Sequence, residues 1–287
     1  MTTSDQTPPA APNTPENSPL GKPSTTPAVY DPVILYPIPR QPMREGLDIT
    51  GTIPFYGLDI WNAYELSWLN MRGKPQVAIM NFTVSSDSPN IVESKSMKLY
   101  LNSLSQMQLT DADAVIALLR ADLSDAFGAP VSVSLIPQSA FSSISIEELG
   151  GLLLDRLDIE ATQYALDPSL LKTDTDEPPV EEVLVSHLLK TNCPVTGQPD
   201  WASIQIHYVG HAINQEGLLK YLISYRQQQE FHEQCVERIF MDILRICRPQ
   251  SLTVYARYTR RGGISINPWR SNVSSGKRPL FIRNARQ

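Results

Sequence analysis

The chain is written twice, and this constrains its folding more than any single motif. Laid on itself at an offset of 124 residues, "RGKPQVA" from Arg72 falls on "TGQPDWA" from Thr196, with Gly, Pro and Ala shared. At an offset near 121, "MKLYLNS" falls on "LLKYLIS". In each copy a polar junction, an amphipathic helix, a proline and a β-rich run follow in the same order, so one module is used twice.

The second copy shows what the module is made of. Phe231, Cys235, Ile239, Ile243 and Cys247 recur at steps of four, flanked by Val236, Phe240 and Leu244, which is the buried stripe of a helix. Cys235 and Cys247 are therefore core residues. Alternation in "VAIMNFTV", "ASIQIHYV", "VSVSLIP" and "LTVYARY" predicts strands on either side of the helices. Each half is thus an α+β module, and 41% hydrophobic residues in 287 suffice for a core in both.

Residues 1–30, rich in Pro, Ser and Thr and without an apolar run, are expected to form a disordered tail rather than a signal peptide. The first module is expected over 31–171, an interdomain loop at the polar "KTDTDEPPVEE" (172–182), and the second module over 183–287. A net charge of -6 argues against direct nucleic-acid binding, which needs clustered Lys and Arg. Three cysteines without a C-x-x-C pair and no apolar run of about 18 residues predict a reduced, cytoplasmic protein that does not enter a membrane.

Where the repeat fails, it points to chemistry. Cys193 and Asp200 align with Leu69 and Gln76, while Glu93 aligns with Asn214, so each half keeps groups the other lacks and one composite site is expected. In "TNCPVTGQPD" the turn residues between Cys193 and Asp200 are expected to fold the chain back and bring thiol and carboxylate together. "VESKSMKLY" (92–100) gathers a carboxylate, hydroxyls and lysines, a pattern that also suits a solvated edge. His232 and Glu233 open the second amphipathic helix, where Glu233 also suits the helix dipole or a cap. "TRRGGISINPWR" puts two arginines before a double glycine, either a phosphate clamp or an exposed turn. His207 and His211 have a metal-like spacing, but on a strand they stand about 13 Å apart, too far for one ion. No G-x-G-x-x-G follows a strand.

Together "ESKSMKLY", "CPVTGQPD", "FHE" and "RRGGISINPW", in this order, resemble the NADPH-dependent 7-cyano-7-deazaguanine reductases of queuosine biosynthesis in their long two-module form, over residues from about 30 onward. The resemblance implies tandem tunnelling-fold modules, an antiparallel sheet with helices on one face in each. It implies Cys193 as nucleophile and Asp200 as proton donor; Val92, Glu93, Ser94, His232 and Glu233 as substrate contacts; and Ser94, Lys95, Arg261 and Gly262 as contacts to NADPH. It implies 7-cyano-7-deazaguanine as substrate, a homodimer, and no metal. A zinc-dependent cyclohydrolase-like enzyme of the same fold is the alternative.

Overall fold

The computed structural model describes residues 13–20, 22, 29–274, 279 and 282–287. The first half runs β1 (Pro37–Pro39), α1 (Gln41–Glu45), β2 (Tyr56–Leu69), β3 (Pro75–Ser85), β4 (Asn90–Val92), α2 (Ser94–Ser103), α3 (Ala112–Phe127) and β5 (Val131–Pro137). The short β6 (Leu152–Leu153) and β7 (Thr173–Asp174) connect it to the second half. That half runs β8 (Val180–Asn192), β9 (Pro199–Gly210), β10 (Ala212–Ile213), α4 (Gln215–Ser224), α5 (His232–Ile246), β11 (Ser251–Tyr258) and β12 (Ile264–Ser271).

The written repeat is a structural one. Hairpin β2–β3 closes at Leu69↔Pro75 and hairpin β8–β9 at Asn192↔Pro199, and each has a register shift in its first strand, at Ala63/Leu66 and at Ser186/Leu189. The helices repeat down to their hydrogen bonds. The Tyr100 hydroxyl donates to Asp122 at 2.6 Å, and the Tyr221 hydroxyl donates to Asp242 at 2.7 Å. Glu93 caps α2, and its repeat partner Asn214 caps α4. The four runs read as strands lie in β3, β9, β5 and β11.

The two halves share one eight-stranded sheet in the order β5-β3-β2-β12-β11-β9-β8-β6, antiparallel except where β6 meets β8. Its central seam is β2 against β12, paired from Tyr56↔Ser271 to Ala63↔Ile264. One buried cluster lies under α2 and α3 around Trp61, Phe82 and Phe127; a second lies under α4 and α5, and includes Cys235 and Cys247; a third, smaller one gathers Ile60, Leu149, Val185, Tyr255 and Trp269. Burial pushes both of these thiols up, Cys247 to about 11, as expected of core cysteines.

A buried ionic chain also crosses the seam. Arg40 meets Asp59 at 2.5 Å, Arg270 meets Asp59 at 2.8 Å and Glu237 at 2.9 Å, and Arg44 meets Glu237 at 2.8 Å. Charges so buried are tolerated because each has an opposite partner, and removing one member leaves an uncompensated charge.

Two boundaries differ from expectation. The polar connector is shorter than 172–182, because Thr173–Asp174 pair with Ala212–Ile213 and β8 starts at Val180. Of the expected tail, residues 1–12, 21 and 23–28 lie outside the described residues, but Pro15–Asn17 form a 3-10 turn and Ser18 and Leu20 are buried. Among the described residues no helix is long and apolar enough to cross a membrane.

Candidate active site

Cys193 follows directly on β8, and Asp200 is the second residue of β9. The loop between them is closed by its own backbone: Cys193 N donates to Gln198 O at 2.8 Å, and Gly197 N donates to Cys193 O at 3.0 Å. Gly197 has φ +67, with open space around a built Cβ, so its backbone conformation rather than crowding calls for glycine. The turn thus brings thiol and carboxylate to one cleft, where Cys193 is 3% exposed.

That cleft takes walls from both halves. Val92, Ser94 and Lys98 come from the first; Cys193, Asp200, His232, Glu233 and Arg261 come from the second. His232 starts α5 and lies flat on Tyr258, ring centroids 3.7 Å apart and planes 4° apart. Its Nδ1 donates to Ile266 O at 3.3 Å, which turns Nε2 to Asp200 at 3.5 Å. Arg261 stands 3.0 Å from the other Asp200 oxygen.

The charges oppose one another. Burial acts to raise the pKa of Asp200, but the His232 bond and charge, with Arg261 and Lys98, hold it below the usual carboxylate range. Asp200 therefore begins as a carboxylate, an acceptor of protons. The pKa of Lys98 is also lowered, which here disfavours the charged form: burial and Arg261 lower it against the pull of Glu93, Asp200 and Cys193. Burial and the nearby Asp59 charge push Glu233 up to about 7, opposed by Arg40 and His232.

Three residues expected at the site do not line the cleft itself. Glu93 is buried at the foot of α2, where one carboxylate oxygen accepts from Lys95 N at 2.5 Å and the other from Ser96 N at 2.8 Å. It directly precedes the helix, whose first N–H groups lack intrahelical partners, and so it acts as a cap behind the cleft wall. Lys95 points its ammonium at the carbonyls of Pro19 and Lys22. Gly262 lies beside the cleft in the turn between Arg261 and β12, where a Cβ would meet the Lys98 side chain at 3.0 to 3.2 Å.

The residue-level reading missed Lys98, Glu230 and Leu20. Lys98 was findable, because it lies one helical turn after Ser94 and so shares its face. Glu230 directly precedes "FHE"; its Oε1 is held by Arg238, while its buried Oε2 has no hydrogen-bond partner among the described residues, and burial raises its pKa. Leu20 gave no signal beyond being an aliphatic residue in a Pro-rich stretch. His207 pairs with Glu181 at 2.9 Å and His211 contacts Glu177 O at 3.2 Å, both away from the cleft.

Fold and site together are those of a two-part α+β protein with a thiol-and-carboxylate cleft where its halves meet. Residues 27–135 match the family model described as nitrile reductase, 7-cyano-7-deazaguanine-reductase N-term, and residues 199–277 match that described as QueF-like protein. The chain is 61% identical over 275 residues to the NADPH-dependent 7-cyano-7-deazaguanine reductase of Ralstonia nicotianae, covering 95% of this chain and 99% of that one. Identity to the proteins of the same name from Cupriavidus pinatubonensis and Burkholderia lata is 60% and 59%, with the same coverage. The chain belongs to the family of NADPH-dependent 7-cyano-7-deazaguanine reductases. Residues 29–287 are about nine tenths of the chain, so a match over 95% reaches into the Pro-rich segment, where the resemblance was expected to stop.

Proposed function

We propose that this chain reduces the nitrile of 7-cyano-7-deazaguanine to an aminomethyl group with two NADPH, through a thioimide on Cys193, supplying the amine for queuosine modification of tRNA. The observation that carries this reading is the gathering of Cys193, Asp200, His232 and Glu233 with Val92 and Ser94 in one cleft. The relatives' shared name favours it over a zinc-dependent cyclohydrolase. The fold is read as tandem tunnelling-fold modules working as a cytoplasmic homodimer; the repeated hairpins and helices support the tandem reading.

The thiol of Cys193 adds to the nitrile carbon. An S–C bond forms, one C–N π bond opens, and the thiol proton ends on nitrogen. Asp200, held ionised, takes that proton from sulfur and returns it to the developing nitrogen anion, so its role as proton donor begins with a role as base. Lys98, at the same cleft, offsets the thiolate charge as it forms.

Reduction to the amine takes four electrons, and NADPH, when bound, supplies them as two hydrides. Lys98 and Arg261 fit a phosphate-bearing cofactor, for they place two cations beside a glycine turn whose missing Cβ makes room for the Lys98 side chain. Lys95 and Ser94 of α2 complete this cofactor face. After the first hydride the Cys193 thiolate leaves and an imine remains in the cleft; protonation of its nitrogen accompanies the second.

Glu233 lines the cleft and accepts N–H groups of the deazaguanine ring. Glu93 Oε1 accepts from Lys95 N and Ser94 Oγ, whereas Oε2 accepts from Ser96 N and keeps a second lone pair, so through Oε2 the residue can cap α2 and receive the substrate together. His232 supports Asp200 and borders the substrate, and Val92 and Ser94 form the opposite wall. Mixing the purified protein with 7-cyano-7-deazaguanine and NADPH should consume two NADPH per amine formed; absence of nitrile-dependent NADPH oxidation would sink the reading.

A further inference from the structure

Among residues 1–28 Leu20 is the one leucine, isoleucine, valine or phenylalanine. It is 8% exposed, and it lines the cleft that holds Cys193 and Asp200. Its segment is tied down at several points outside the sheet. Ser18 Oγ donates to Pro15 O at 2.6 Å and accepts from Leu20 N at 3.3 Å. The Lys95 ammonium donates to Pro19 O at 3.1 Å and to Lys22 O. The Tyr36 hydroxyl donates to Thr14 O at 3.2 Å.

We propose that the segment from Ser18 to Leu20 is a wall of the reductive site, with Leu20 shielding the reacting carbon and Lys95 positioning the segment, so that the half-reduced imine is kept from water. The retention half of this proposal rests on the reductase reading above. The chemistry makes such a wall necessary. An imine adds water and loses ammonia, R–CH=NH + H2O giving R–CHO + NH3, with no redox partner required. The amine is reached only if the second hydride arrives before water does, and exclusion of solvent decides that race.

The residue types suit the task. A leucine side chain excludes water and offers it no hydrogen bond. Its described neighbours Ser18, Pro19 and Lys22 offer little apolar side chain to bury, so Leu20 is what distinguishes the docked segment from a solvated one. An ammonium has three donors. Lys95 uses two on segment carbonyls and keeps one for a cofactor phosphate, so a single side chain can hold the wall and meet the cofactor. Attachment by one leucine and a few hydrogen bonds, against the backbone entropy of ordering the segment, leaves it able to open between the two cofactor visits.

The test uses the full chain with Leu20→Ala, Leu20→Ser and the conservative Leu20→Met. Without cofactor or nitrile, iodoacetamide labelling of Cys193, followed by peptide mass spectrometry with buried Cys235 and Cys247 as controls, should speed up about tenfold in Leu20→Ala and Leu20→Ser, from the lost burial of one leucine, and stay near wild type in Leu20→Met. Lys95→Ala should raise labelling in the same direction. With nitrile and limiting NADPH, the Ala and Ser variants should release aldehyde and ammonia where wild type gives amine. Unchanged labelling in Leu20→Ala and Leu20→Ser overturns the wall. Faster labelling without aldehyde overturns its role in imine retention. If wild type itself fails to oxidise NADPH with the nitrile, the reductase reading fails, and labelling still decides the wall.

Discussion

Arg261 brings one guanidinium nitrogen 3.0 Å from Oδ1 of Asp200, and its other terminal nitrogen donates to Gln198 on the same loop. The arginine proposed to meet a cofactor phosphate is thus engaged, before any cofactor arrives, with the carboxylate proposed to carry the proton. The two duties are linked in sign. Arg261 is one of the groups that hold the pKa of Asp200 down, so a phosphate that draws the guanidinium away makes the carboxylate more basic. In the proposed sequence Asp200 is ionised when it accepts the thiol proton, and would hold a proton more readily once cofactor is bound.

This order can be tested on Arg261→Ala. Removal of the cation should raise the pKa of Asp200, so the acid limb of kcat/KM for the nitrile should move to higher pH. KM for NADPH should rise about ten- to a hundredfold, the worth of one charged hydrogen bond of roughly 1.5 to 3 kcal/mol. Equal weakening toward nitrile and cofactor, with an unmoved acid limb, would indicate a general closure defect instead.

Cys193→Ala should abolish turnover and remove the covalent adduct that wild type forms with the nitrile in the absence of NADPH. Intact-protein mass spectrometry reads this directly. Cys235 and Cys247 cannot substitute, because burial keeps both as thiols. An adduct that persists in the variant, or that maps to either core cysteine, would remove Cys193 from its role.

The role proposed for Glu233 predicts a pH dependence of substrate binding. Its pKa is raised to about 7 by burial and by Asp59, and only the ionised form accepts on both oxygens. Protonation as pH falls through that value should weaken binding of 7-cyano-7-deazaguanine, and from about pH 8 to about pH 6 the ionised fraction falls roughly tenfold. Calorimetric titration across this range should show the loss in wild type and a flat, weaker response in Glu233→Gln. A wild-type affinity independent of pH would remove the carboxylate from ring recognition.

Much of this was legible in the sequence because a repeat reports on itself. The strands β3, β5, β9 and β11 announced themselves by alternation, and α5 by its stripe of buried residues. Cys193 and Asp200 were readable as a pair because turn residues between two strands leave little freedom for where the ends go. Other features depend on contacts between distant residues. Glu93 shows the charge pattern of a binding carboxylate, and only the helix start behind it reveals a cap. The pairing of β2 with β12 joins positions about two hundred residues apart, beyond any local periodicity. Leu20 lies in a composition that predicts solvation, and its burial depends on the cleft it meets.

The last prediction concerns which chain completes the site. Lys98 and Cys193 line one cleft but belong to different halves, so a subunit-exchange experiment can ask whether the halves pair within a chain. Within the chain they are joined by the β2–β12 seam of eight residue pairs and by buried ion pairs of Asp59 and Arg44 with Arg270 and Glu237. Parting the halves would break the ladder and strand charges in the interior, and one orphaned buried charge alone costs about 3 to 5 kcal/mol. Such halves do not trade partners between folded subunits. Lys98→Ala, at the proposed contact to thiolate and cofactor, and Cys193→Ala, at the proposed nucleophile, should each be severely impaired. Co-refolded or mixed as subunits of one assembly, they should give no more NADPH oxidation than the sum of the separate variants. Recovery toward a quarter to a half of wild-type turnover would mean that one subunit's Lys98 serves its partner's Cys193. That result would overturn the within-chain site and leave its composite character intact.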